Sequence, residues 1–187
     1  MGILPCLLRR RILLSTHRRL PICSTKKMTK IFIVYLLFIV NANATESCKS
    51  TMQKFLFMKL YTITLCKQTN VSYNEIFNSV FSIELEYHMK SSSKWISDRS
   101  IEEMEKHYDL SEDEKKKYLK QMLTIFPNIT QGDTITLKYQ PQNGSKFFHN
   151  QKIIGKITDQ TFTTRFINIW LHPNSTFQET RNLLLET

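Results

Sequence analysis

Residues Met28 to Ala44, MTKIFIVYLLFIVNANA, set how much of this chain is available to fold. Lys30 supplies a positive flank, Ile31 to Val40 form an unbroken apolar run, and Ala42-Asn43-Ala44 places small residues before a cleavage point at Thr45. This is the order of a secretory signal that starts at an internal methionine. The ten apolar residues make about 15 Å of helix against a hydrocarbon core of about 30 Å, so no permanent membrane span is expected after signal cleavage. The expected organisation is residues 1–27 as a mis-assigned start or extended basic n-region, 28–44 as the signal peptide, and 45–187 as one exported domain, periplasmic or secreted.

Charge follows the same division. Of the 26 Lys and Arg, eight precede Thr45, whereas all 16 acids follow it, so the remainder holds 18 cations against 16 acids and a formal charge of +2. The basic excess belongs to the leader, and the domain gives no reason to expect a nucleic-acid partner. Its 143 residues suffice for one domain with its own core.

Two cysteines, Cys48 and Cys66, follow the cleavage point. Between them Gln53 to Cys66, QKFLFMKLYTITLC, holds no Gly, Pro or Asn and is rich in aromatic and β-branched residues, so it reads as one long strand. A strand of that length carries its end about 43 Å away, while the five residues back to Cys48 reach at most about 18 Å. The expectation is that the two thiols do not pair.

Val80 to Met89 alternates Phe81, Ile83, Leu85, Tyr87 and Met89 with Ser82, Glu84, Glu86 and His88, a strand with one wet face that includes His88. A helix around Trp95 to His107 is expected to bury Trp95, Ile96, Ile101 and Met104. A second opens at Ser111 with Glu114 three residues on, a capping box, and stops at Pro127. Strands return along DTITLKYQ, SKFFH and KIIGKI, joined by short turns. Thr158 or Asp159 caps a helix whose apolar face is Phe162, Phe166, Ile169 and Trp170. Thr176 and Glu179 read as a capping box for a last helix burying Phe177, Leu183 and Leu184 or Leu185. The sum is an α+β fold with a largely antiparallel sheet.

Catalytic motifs are missing: there is no HExxH, GxSxG, CxxC or glycine-rich phosphate loop. His107, His149 and His172 are far apart in sequence, and no metal or cofactor is expected. The carboxylates of Glu102 to Glu105 and Glu112 to Glu114 fall in helix first turns or polar faces, where solvation and the helix dipole account for them.

The stretch from Gly132 and Asp133 through the Gly144 turn, the Gly155 strand, Ile169-Trp170-Leu171 and the closing Arg181, Leu183, Leu184 helix resembles the chalcone isomerase-like family, in particular its exported bacterial members. FLFMKLYTITLC, SIELEYHM and SIEEMEKHY are similar to the family's lysine-aromatic strand, its second strand and the helix after it. The resemblance implies an open-faced sandwich, a large antiparallel sheet under one layer of helices. Enzymatic members use an arginine and a threonine on an unsaturated ketone; here Tyr61 stands at the threonine position, and Cys48 or Lys49 at the arginine position. Fatty-acid-binding members hold a carboxylate with an arginine and a tyrosine, and Tyr61 matches the tyrosine.

A sheet covered on one face can leave an apolar pocket into which Tyr61, Tyr87 or Trp170 bring polar tips. Arg165, on the Trp170 helix, is the candidate for the missing anion holder. The first functional expectation is a non-catalytic exported module binding a small amphipathic or fatty-acid-like ligand at Tyr61, Tyr87 and Arg165. The alternatives are an isomerase acting on an unsaturated ketone and an interaction protein with a filled cleft.

Overall fold

Alternation of apolar and polar residues builds a single sheet. In the computed structural model, which describes residues 45–55 and 57–186, six strands pair in sequence order: β1 (Glu46–Phe55), β2 (Met58–Gln68), β3 (Phe81–Tyr87), β4 (Thr134–Gln140), β5 (Gly144–His149) and β6 (Lys152–Ile157). Every neighbouring pair is antiparallel. Register stacks the apolar positions in rows: Leu65 faces Ile83, Ile83 faces Leu137 and Leu137 faces Phe147, all four buried. The intervening row, Thr64, Glu84 and Thr136, lies on the opposite face, where the Thr136 hydroxyl donates to Glu84 at 2.8 Å. One face is therefore dry and the other wet.

Among the described residues five helices accompany the sheet: α1 (Tyr73–Ile76), α2 (Ser93–Glu105), α3 (Glu112–Ile125), α4 (Gln160–Leu171) and α5 (Gln178–Leu185). The α3 capping box forms as the sequence predicts, with Ser111 and Glu114 each satisfying the other's backbone donor. Asp159 caps α4 by accepting the Phe162 N–H at 3.0 Å. From Phe166 to Leu171 every residue of α4 is buried, as expected of a helix that is apolar nearly all round. Gly144 sits at φ +77°, and a Cβ there would come within 2.1 Å of the Ile157 carbonyl oxygen, so only glycine closes this turn.

The result is an α+β open-faced sandwich, in agreement with the sequence. Residues 44–187 form a compact unit, and the buried hydrophobics from Ile63 to Leu184 make one cluster, so this unit carries a core of its own. Among the described residues no helix is long and apolar enough to cross a membrane. Residues 1–27 and 28–44, expected above as a basic n-region and a signal peptide, lie outside the described residues.

Four expectations are corrected. The stretch Gln53 to Cys66 is not one strand, because the chain reverses between Phe55 and Met58 and lays β1 back along β2. That reversal sets Cys48 opposite Cys66, Cα to Cα 4.1 Å, and they form a disulfide. The last helix has no capping box; Phe177 is its N-cap, and the Thr176 hydroxyl instead donates to Glu103 at 2.8 Å. Trp95 and Leu183, expected inside, are 48% and 41% exposed, whereas Leu184 is fully buried.

The disulfide spans 18 residues of sequence, and closing a loop of that size removes about 3 kcal/mol of denatured-state entropy. Urea unfolding of the Cys48→Ser/Cys66→Ser double variant should show a loss of about 2–4 kcal/mol. Equal midpoints for the variant and the oxidised parent would show that the sheet edge does not depend on the bridge.

Candidate functional site

The helices do not fill the space above the centre of the sheet. A cavity of about 600 Å³ lies there, within the range of about 300–1,000 Å³ typical of small-molecule sites. Its floor is Ile83, Leu85, Ile135, Leu137 and Phe147 from the dry face, and Ile96, Phe166 and Ile169 close it from α2 and α4. Phe126, Phe147 and Phe166 meet one another at ring-centroid distances of 5.5–5.9 Å, so this part of the wall is aromatic.

Polar groups also line this wall. Tyr61 and Tyr87 stand opposite each other on β2 and β3, with ring centroids 5.8 Å apart. Trp170 Nε1–H donates to Tyr61 Oη at 3.0 Å, which leaves the tyrosine's own proton to be donated elsewhere. Burial pushes the Tyr61 phenol up to about 12, partly opposed by the Trp170 hydrogen bond. Burial likewise raises Tyr87, with proximity to Tyr61 adding to it. Both phenols are therefore neutral donors at any ordinary pH.

Beside them α2 contributes a cation and a buried acid. Arg99 lines the cavity and donates to Glu102 at 2.8 Å and to Glu103. Glu103 is 2% exposed and also accepts from Lys106 Nζ and from the Thr176 hydroxyl, both at 2.8 Å. Three donors to one carboxylate satisfy the demand of an acid held out of water. Gln53 and Lys54 of β1 complete this side of the wall.

The sequence-predicted residues divide accordingly. Tyr61 and Tyr87 are brought together in the cavity wall, and Trp170 joins them. Arg165 is not part of that wall: it donates to Glu114 at 2.6 Å and to Tyr118 Oη at 2.8 Å and lies over the Tyr108 ring. The reason is angular, since five residues turn a helix through about 140° relative to Trp170, whereas Phe166 lies within about 40° of it. Cys48 and Lys49, where the resemblance puts an arginine, are outside the cavity as well. Sequence reasoning missed two cations of the wall, Lys54 and Arg99, and the signal for Arg99 was the Arg99, Glu102, Glu103 spacing of three and four residues. His107 and His172 stack at 4.6 Å away from the cavity, and no group of three metal-ligating side chains occurs among the described residues.

A family model described as chalcone isomerase-like matches residues 50–186, and the chain belongs to that family. An uncharacterized protein of Haemophilus influenzae is 29% identical over 126 residues, 67% of this chain; the match covers 60% of that relative's length. A solved structure, the fatty-acid binding protein of Arabidopsis thaliana, is similar with a TM-score of 0.53 at 10% identity, over 76% of this chain and 85% of that one. At such identity the likeness concerns the fold.

The raised Tyr61 has a measurable consequence. Unfolded tyrosine loses its proton near pH 10, whereas folded Tyr61 keeps it to about 12, so the protein loses stability as pH climbs through that window. Urea midpoints measured across it should decline, and Tyr61→Phe should make the decline shallower, with the raised Tyr73, Tyr87, Tyr118 and Tyr139 keeping part of it. A Tyr61→Phe variant with an unchanged tyrosinate absorbance titration near pH 12 would contradict this assignment.

Proposed function

We propose that this member of the chalcone isomerase-like family binds one fatty-acid-like, amphipathic carboxylic acid between sheet and helices without transforming it. The observation that carries the reading is a largely apolar cavity of about 600 Å³ with two neutral tyrosine donors and Arg99 in its wall. The hydrocarbon tail lies against Phe126, Phe147 and Phe166, gaining about 0.8 kcal/mol per buried CH₂. The carboxylate takes hydrogen bonds from the Tyr61 and Tyr87 hydroxyls and the guanidinium of Arg99. Glu102, the exposed partner of Arg99, is the one a ligand displaces, because an exposed ion pair is worth little. The family's fold and the neighbour named a fatty-acid binding protein support this reading.

We further infer that the chain is exported, with Met28 to Ala44 as its signal. The Cys48–Cys66 disulfide supports this, since such bonds persist in oxidising compartments.

Native mass spectrometry after gentle purification should find a co-purified lipid acid, and Arg99→Gln should weaken binding of a fluorescent fatty acid about three- to tenfold while sparing the matching alcohol. Glu103 keeps Lys106 and Thr176 in that variant, so the fold should survive. A cavity that takes neither acid nor alcohol refutes the reading. For export, Edman sequencing of protein recovered outside the cytosol should begin at Thr45; an intact arginine-rich start on a cytosolic product would refute it.

A further inference from the structure

A hairpin normally turns on Gly, Asn, Asp or Pro, residues that tolerate the turn's backbone and its exposure to water. The β1–β2 hairpin reverses instead between Phe55 and Met58, a stretch of sequence that holds none of these residues. Phe57 is fully exposed and Met58 is 53% exposed, an apolar tip standing in water. Immediately behind it Lys54 and Lys59 stand directly opposite each other across the two strands, and both are exposed. Like charges so placed repel, and an exposed Phe-Met tip gains nothing from the fold. Two local costs in one turn need a common compensation.

The tip also has a position. Met58 and Lys54 line the cavity, together with the half-exposed Trp95 and Met89, so the hairpin forms one lip of the cavity mouth. The backbone N–H of His88 bonds to the Leu60 carbonyl at 2.9 Å, which brings exposed Lys90, two residues on, to the same end of the sheet. The rim acids are already matched, Asp98 by Lys94 at 2.5 Å and Glu102 by Arg99 at 2.8 Å, so Lys54, Lys59 and Lys90 carry the surplus charge.

We propose that this hairpin tip inserts into an anionic lipid bilayer, with Phe57 and Met58 among the upper acyl chains and Lys54 and Lys59 at the phosphates. An apolar wedge backed by lysines fits the chemistry of that interface, and a tryptophan at the same mouth suits its amphipathic zone. Docked in this way, the mouth opens onto the membrane, and an amphipathic acid moves between bilayer and cavity without crossing water. The docking rests on the ligand reading above only for its purpose, and the two can fail separately.

Co-sedimentation of residues 45–187 with vesicles provides the test. Binding to vesicles containing phosphatidylglycerol should exceed binding to pure phosphatidylcholine and fall with added salt. Phe57→Ser should weaken it at least tenfold, and Lys54→Ala/Lys59→Ala about 30-fold. Phe57 lies outside the cavity wall, so Phe57→Ser should keep the parent's thermal midpoint and its affinity for a fatty acid in solution. Vesicle binding that is absent, or that ignores these substitutions, overturns the docking while leaving ligand binding intact. Phe57-dependent self-association without vesicle binding overturns it in favour of a contact between copies. Vesicle binding by a chain that takes no fatty acid upholds the docking and overturns the ligand reading.

Discussion

A carboxylate beside an apolar cavity must be neutralised where it stands, and much of this structure follows from how Glu103 is satisfied. Left alone, a buried acid costs several kcal/mol. Here Arg99, Lys106 and Thr176 all donate to it, and each bond constrains something larger. Arg99 is held along the cavity wall instead of extending into solvent. Thr176 fastens α2 to the segment that enters α5, and α5 in turn packs on β1, where the Thr180 hydroxyl donates to Gln53 at 2.9 Å. The roof of the cavity and the edge strand are thus linked through one acid. Cys48–Cys66 fastens the same strand nearer its other end.

Much of the fold was legible because it rests on local rules. Alternation marks β3 and β4, Ser111 with Glu114 marks the start of α3, and Asp159 marks the start of α4. These signals depend on neighbours within a few residues, and no tertiary contact reverses them. Tyr87 was legible for a related reason, since alternation sets it in one row with Phe81, Ile83 and Leu85, whereas Tyr61 was marked by the family resemblance; only register shows that they meet.

What was not legible depended on partners distant in sequence or on a broken local rule. The reversal at Phe55–Met58 uses none of the residues that ordinarily turn a chain, so an unbroken strand was the natural reading and the disulfide was excluded with it. Thr176 sits three residues before Glu179, as a capping box requires, yet a buried acid 73 residues earlier in the chain takes its hydroxyl. Glu103 reads as one polar residue among several on α2, and nothing local shows that its side chain turns inward. Arg165 is near Trp170 in sequence, but the helix turns it towards Glu114 and Tyr118.

Charge balance around the polar wall constrains what the cavity can select. Arg99 and Lys106 are offset by Glu102 and Glu103, so an entering anion meets a guanidinium that already has partners, together with phenols that carry no charge. Lys54 adds one cation to the wall, but it is exposed and screened by solvent, so little net Coulomb attraction is available there. Hydrogen bonds from Tyr61 and Tyr87 can orient a head group, but they replace bonds the same group makes to water and so add modestly to affinity. For the proposed ligand the remaining free energy would come from hydrocarbon against the wall that includes Phe126, Phe147 and Phe166, where each methylene counts. A site built in this way discriminates by tail length and shape more than by head-group charge.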